Sequence, residues 1–409
     1  MKGLRNFWVF AVVFLVTVGI LNFVEHTQQS RPDSVQHDIH LQTTSEASGQ
    51  LVLGRAGGPR KPAKQQHRAD LEDERYPFRP IEDVKISVQT GHFFGGDFEG
   101  LEPNCTIGKT VINCRYGSSV DPHTADALWY HIPSMGGASS VQKYHPKQLT
   151  IAMSMESSEY YPALDNKDFM RVFDIETTYR SCSQVPIFYF DYNPNQLSKI
   201  MKPAKPFEEK KTALVYVNSN CGAKSGRSDI MRQVLGLNHP TIPTHSYGNC
   251  DRNMEVNGHF DKVELISGYK FCVAMENSIT KDYITEKLWQ ALEAGCVPVY
   301  MGPHNIAEFL PDPEAIIDYN KLGSPEALMK ELERLASDKA AYEAKLSWKS
   351  RRLEQQSADF QAKVVGSAER QPHTRCQLCR VVLKNRYRPQ NFTTCLWNET
   401  WTRDYHVKA

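Results

Sequence analysis

One stretch of this chain constrains everything else about it: Phe7 to Val24 (FWVFAVVFLVTVGILNFV), 18 residues without a charge in a sequence of 409 whose mean hydropathy is −0.50. As a helix it rises ~27 Å, about the hydrocarbon thickness of an early secretory membrane. No second apolar run of this length exists, which excludes a multi-span membrane protein. Lys2 and Arg5 precede the run, while Glu25 and His26 follow it. Positive-inside bias then keeps the first six residues cytosolic and puts the remainder in a lumen. A cleaved signal peptide is the competing reading. The run exceeds a usual signal core and no small-x-small site follows it cleanly, which favours an uncleaved anchor.

All ten cysteines lie beyond the run, where disulfides are permitted. N-x-[ST] triplets at Asn104, Asn391 and Asn398 fit a lumenal location as glycosylation sites, although such triplets also arise by chance. The balance of 48 Lys+Arg against 47 Asp+Glu argues against a nucleic-acid partner, which would require a basic face. The expectation is a single-pass type II protein of the secretory pathway.

Six organisational segments follow: a cytoplasmic tail (1–6), the anchor (7–24), a stem (25–82), two α/β domains (83–200 and 201–365) and a tail (366–409). The stem reads SRPDS, LGRAGGPRKPAKQQHR and LEDER, without sustained apolar period, and cannot bury enough surface to order itself. From Asp83 apolar runs recur: VKISV, TVINC, ALWYHI, LTIAMSM, VFDI and IFYF, then, past the link MKPAKPFEEKK, ALVYVN, YKFCVAM, CVPVYM and AIIDY. Strands separated by helical or loop stretches predict an α/β layer architecture in two halves. In DYITEKLWQALEAG, Ile284, Leu288 and Leu292 share a helical face, Asp282 is placed to cap the start and Gly295 the end. Open parallel sheets bind ligands at the carboxyl ends of their strands, so the chemistry is expected there.

Three stretches stand at such ends. In VYVNSNCGAKSGRSDIMRQVL a strand runs into a small Gly-containing turn carrying Arg227, with a helix predicted from about Ser228; this is either an anion site or an ordinary βα turn. In MENSITKDYITEK, Glu276 and Asn277 follow a strand, and Tyr283, Glu286 and Lys287 open the next helix. Lys287 suits phosphate and Glu276 or Glu286 suits sugar hydroxyls, against the alternative of an exposed helix start. In LTIAMSMESSEYYP, Glu156 and Glu159 end a strand; a cleft carboxylate there is a candidate general base, against the commoner surface glutamate. H-E-x-x-H, G-x-S-x-G, G-x-G-x-x-G and D-x-D are missing, so no metal site is assigned. Cys376 and Cys379 form a lone C-x-x-C, for which a lumen favours a structural disulfide between them over a redox or metal role. Cys272 and Cys296, inside apolar runs, read as buried thiols.

The run YKFCVAMENSITKDYITEKLWQALEAGCVPVYMGPHNIAEFLP closely resembles the donor-site signature of α1,3-fucosyltransferases, glycosyltransferase family ten. MSMESSEYYP, SNCGAK, THSYGNC, DKVE and CQLC are similar to the plant-type enzymes that fucosylate the N-glycan core, so the resemblance covers roughly Asp83 to Cys379. It implies a B-type glycosyltransferase of two Rossmann-like domains in the Golgi membrane, with acceptor in the first half and GDP-β-L-fucose in the second. Carried over, Arg227 and Lys287 would neutralise the diphosphate, Tyr283 would hold the nucleotide side and Glu286 would contact fucose. Glu276 and Asn277 would shape the pocket, and Glu156 would deprotonate O3 of N-acetylglucosamine for an inverting displacement. No tightly bound cofactor is implied; stimulation by Mn2+ or Mg2+ is left open. A Lewis-type enzyme acting on antennae and a non-catalytic glycan-binding Golgi protein are the competing readings. Two features depart from the pattern: the turn KSGRS, where the phosphate arginine rests on Arg227 rather than the more distant Arg232, and a chain that stops at Ala409 without the long extension of flowering-plant core enzymes, which bears on acceptor choice.

Overall fold

A strand apolar along its whole length needs cover on both faces, which parallel sheets flanked by other layers provide. The computed structural model describes residues 76–93, 99–190, 194–255, 258, 260–365, 374–400 and 402. The expected anchor and most of the expected stem lie outside the described residues. Among the described residues, no helix is long and apolar enough to cross a membrane. The chain divides into two units, and the one comprising Tyr76–His92 and Leu101–Ala409 contains two sheets.

The first sheet is built from β1 (Ile81–Val88), β2 (Gly100–Glu102), β3 (Thr106–Ile107), β4 (Thr110–Gly117), β5 (Ala127–His131), β6 (Leu149–Ser154) and β7 (Ile175–Thr178). Its order is β2-β4-β1-β5-β6-β7, with β3 antiparallel to β4 and the run from β4 to β7 parallel. The second sheet holds β8 (Lys211–Asn218), β9 (Thr244–Gly248), β10 (Tyr269–Met275), β11 (Val297–Met301) and β12 (Ile317–Asp318) in the order β12-β11-β10-β8-β9, all parallel.

Period-two alternation divides the second sheet's side chains between two cores. Leu214, Tyr216, Phe271, Met275, Val297 and Val299 point to one face, while Ala213, Val215, Cys272, Ala274 and Tyr300 point to the other. Helices α1 (Arg227–Gly236), α4 (Pro325–Ser337) and α5 (Lys339–Leu346) cover the first face, and α2 (Lys262–Ser267) and α3 (Glu286–Ala294) the second. Asp338 separates α4 from α5, its carboxylate accepting from the Ala341 N–H. Gly295 closes α3 at φ +70°, and a Cβ there would meet the Ala204 Cβ at 2.7 Å, so only glycine fits.

One strand expectation fails, and one strand forms where none was expected. IFYF (Ile187–Phe190) is not a strand: its apolarity serves the passage between the sheets, with Phe188 edge-on to Phe309 and Phe190 edge-on to Trp289. The polar THSYG, with only Tyr247 strongly apolar, forms the edge strand β9, held by its ladder to β8.

The cysteine expectations are corrected outright. Cys376 and Cys379 sit on α6 (Thr374–Tyr387) and bond not to each other but to Cys105 and Cys114 of the first half. Residues three apart on a helix hold their Cβ atoms ~5–6 Å apart, beyond the ~3.5–4.5 Å a disulfide accepts, but both project toward the same packed strands. Cys272 and Cys296 are not thiols but a bridge between β10 and the start of β11. Cys182–Cys395 and Cys221–Cys250 complete the set, and no cysteine is free. The segment expected as a tail therefore returns to the first sheet. Arg386 donates to the Asp83 carbonyl (2.6 Å) and Asp126 (2.9 Å), and Tyr387 donates to the buried Glu82. Asn104, Asn391 and Asn398 are all exposed, Asn104 in a left-handed turn.

Peptide mapping without reduction should recover Cys105–Cys376 and Cys114–Cys379 as linked pairs; a loop closed by Cys376 and Cys379 would overturn this arrangement. Gly295→Ala should cost about 1–3 kcal/mol through forced left-handed geometry and the Ala204 clash, read as a lowered melting temperature.

Candidate active site

The carboxyl ends of β8 and β10 open onto a cavity of about 220 Å³. Its walls include Asn218, Asn277, Arg227, Lys262, Glu286 and Lys287. The turn after β8 is stapled by Cys221–Cys250 and pinned at Ser225, whose N–H donates to the Asn277 carbonyl (3.0 Å) and whose hydroxyl donates to the Glu276 carbonyl (2.6 Å). Gly226 at φ +76° turns the chain into α1, which begins one residue before the sequence expectation, at Arg227. The Arg227 side chain is buried. It donates to the Met275 carbonyl (2.7 Å) and to Asn218 Oδ1 (2.6 Å), while its Nε has no partner among the described residues. A cation tied to two strand ends is preorganised for an anion.

Glu276 lies beneath this wall rather than in it. Fully buried, it accepts from the Thr285 N–H (2.8 Å) and Thr285 hydroxyl (2.6 Å), and Lys287 Nζ lies 3.6 Å away. Burial pushes its carboxyl above the ordinary value, against Lys287 and the Thr285 bonds. It thus organises the start of α3 instead of reaching toward hydroxyls. The N-cap of α3 is Thr285, not Asp282. Lys287 Nζ donates to Thr285 Oγ1 (2.8 Å) and Glu286 Oε1 (3.0 Å). Burial disfavours the Lys287 charge, but Glu286 and Glu276 outweigh it and raise its pKa. Burial also opposes the Glu286 charge, yet Lys287 and Lys262 hold that carboxyl down at about 2.

Asp282 instead joins the two halves. At φ +67°, a conformation few non-glycine residues adopt, its carboxylate accepts from the Ser181 N–H (2.9 Å) and hydroxyl (2.8 Å) and from Asn305 Nδ2 (2.8 Å). That turn sends Tyr283 away from the cavity expected for it and into the first half, edge-on to Tyr179 and Tyr189. Its hydroxyl donates to Glu156 Oε2 (3.3 Å). Glu156 follows β6 and is half-buried, so burial raises its pKa while the Tyr283 bond and the field of Lys287 pull it back. Glu159 is placed differently: its carbonyl accepts from Lys224, which also lies over the Tyr160 ring at 5.0 Å.

The structure therefore gathers Arg227, Asn277, Glu286 and Lys287 at one cavity, sets Glu276 behind it, and links Glu156 to the same segment through Tyr283. Two residues with parts to play, Lys262 and Thr285, escaped the sequence reading, and a third, Asp282, was read there only as a helix cap. Lys262 lay in DKVE, which matched a family pattern without a role; Thr285 and Asp282 act through partners remote in the chain.

Residues 207–397 match the family model described as Glycosyltransferase family 10 (fucosyltransferase) C-term. That part of the chain is similar to glycosyltransferase family 10. Among relatives, a fucosyltransferase-like protein of Arabidopsis thaliana is 38% identical over 246 residues, 60% of this chain and 45% of the relative. The alpha-(1,3)-fucosyltransferase B of Drosophila melanogaster is 29% identical over 214 residues, 48% of this chain and 47% of the relative. GDP-fucose protein O-fucosyltransferase 3 of Homo sapiens is 31% identical over 212 residues, 47% of this chain and 43% of the relative. The chain thus spans about half the length of the curated relatives it matches. The fold of an alpha1,3-fucosyltransferase solved with GDP-fucose is shared at a TM-score of 0.50 and 14% identity, over 80% of this chain and 98% of the other. This likeness fits the α/β fold of two parallel sheets. The matched stretch contains every cavity residue named above, whereas Glu156 lies outside it.

Thr285→Val leaves Glu276 and Lys287 each short of a hydrogen bond. It should cost about 1–3 kcal/mol in stability. Melting curves check this; a wild-type melting temperature would remove Thr285 from this network.

Proposed function

We propose that the chain is an inverting GDP-fucose-dependent α1,3-fucosyltransferase. The observation that carries this reading is the bond from Tyr283, within the donor signature, to Glu156, which brings a raised-pKa carboxylate into the electrostatic field of the cavity cations. Glu156 takes the proton of an acceptor hydroxyl as that oxygen attacks the anomeric carbon of fucose. The bond from that carbon to phosphate oxygen breaks, and its electron pair leaves with GDP. Negative charge grows on the departing phosphate as the sugar becomes cationic, so fixed charges at Arg227 and Lys287 favour the transition state over the ground state. Glu286 is the fucose contact, and Asn277 completes the pocket.

For the acceptor we propose O3 of N-acetylglucosamine in the N-glycan core, on the resemblance of MSMESSEYYP to core-modifying enzymes. A second reading, transfer to a protein hydroxyl, is favoured by the likeness to the human protein O-fucosyltransferase. The proposed setting is the Golgi membrane, with Phe7–Val24 as type II anchor, an arrangement supported by the flanking charges and the five disulfides.

The deciding assay offers the protein GDP-fucose with a trimmed N-glycan, the same glycan with its core N-acetylglucosamine blocked, and a folded unglycosylated protein. Transfer to the first alone supports core fucosylation; transfer to the blocked glycan indicates antenna modification, and transfer to the third indicates protein O-fucosylation. Glu156→Gln should keep GDP affinity and lose at least about 100-fold in rate. Tyr283→Phe removes a bond that favours the ionised carboxylate, so Glu156 should titrate higher and the acidic limb of kcat/KM should move to higher pH. An unmoved limb would detach Tyr283 from the base.

A further inference from the structure

We propose that Lys262 is a third donor-binding cation, pairing with the diphosphate when a nucleoside diphosphate occupies the cavity. This rests on the reading of that cavity as the donor site. Lys262 is the first residue of α2, fixed by Asp261, whose carboxylate accepts from the Val263 N–H (2.7 Å) and Glu264 N–H (3.1 Å). Its side chain lines the same wall as Arg227, Glu286 and Lys287.

Charge balance separates Lys262 from its neighbours. Arg227 and Lys287 are offset by Glu286 and by the buried Glu276 behind them, so those four groups sum to zero. Lys262 is the surplus charge of the cavity and the layer beneath it. Without it, a ligand bearing a negative charge on each of two phosphates would leave water for a site of no net charge, which is unfavourable.

Hydrogen bonding points the same way. Lys287 is committed to Thr285 and Glu286, and Arg227 spends two nitrogens on Met275 and Asn218, whereas Lys262 has no hydrogen bond or ion pair with any described residue. Burial holds its pKa below the ordinary lysine value despite the fields of Glu286 and Glu276, as expected of a desolvated cation without a hydrogen-bonded counter-ion. The diphosphate would be that counter-ion. Its hold would tighten as the departing GDP gains charge, so Lys262 would serve transfer as well as binding.

The test is calorimetry with GDP and with guanosine on the wild-type protein, Lys262→Met and Lys262→Arg. The methionine variant should bind GDP about tenfold or more weakly, guanosine should be unaffected, and arginine should restore most of the GDP affinity. Unchanged GDP binding by Lys262→Met, or equal losses for GDP and guanosine, would overturn the proposal. A measurement on the wild-type chain is independent of variant folding: GDP, but not guanosine, should shield Lys262 from acylation followed by mass spectrometry, and equal labelling would overturn the proposal too. Failure of the wild-type protein to bind GDP at all would instead overturn the donor-site reading and this proposal with it.

Discussion

A carboxylate sealed from water is costly unless its charge is answered, and the fully buried Glu276 meets that condition through one residue, Thr285, backed by Lys287. Much of the second half follows from it. The two Thr285 bonds decide where α3 begins, the start of α3 decides where Glu286 and Lys287 stand, and the Glu276 carbonyl holds Ser225 and with it the turn that leads to Arg227. One buried residue, through its carboxylate and its carbonyl, thus ties the ends of β8 and β10 to the helix between β10 and β11. Apolar packing alone could not set these positions so narrowly, because hydrophobic contact is not directional.

The segment between Glu276 and Thr285 is then obliged to leave the second sheet and return. Asp282 makes the excursion possible by accepting a left-handed backbone, a strain offset by three hydrogen bonds to its carboxylate. The excursion delivers Tyr283 to Glu156. On the far side the chain is closed differently: Cys105–Cys376, Cys114–Cys379 and Cys182–Cys395 fasten the C-terminal segment to the first half, over sequence separations of 271, 265 and 213 residues. The first half is therefore made from both ends of the described chain, and loosening the return would disturb the sheet that carries Glu156.

The sequence was informative where chemistry and fold share a local pattern. The apolar runs of β8, β10 and β11 announced strands because burial on both faces demands continuous hydrophobicity, and Gly295 announced the end of α3 because the left-handed cap excludes a Cβ. It misled where residue type was right but the partner was remote. Asp282 looked like a cap since aspartate caps helices; its carboxylate is claimed by Ser181, 101 positions away. IFYF looked like a strand since it is apolar, but its rings pack on Phe309 and Trp289 in passing.

Alone, the sequence determined the two α/β halves, the carboxyl-edge placement of Arg227, Asn277, Glu286 and Lys287, and a glutamate at the end of β6, because strand periodicity and loop position depend on neighbours in the chain. Only tertiary structure decided that Glu276 supports instead of lining, that Tyr283 serves Glu156, that Lys262 joins the cavity, and which cysteines pair. Each of those outcomes depends on a contact between residues far apart in sequence, and a local pattern records what a residue can do without recording what it will meet.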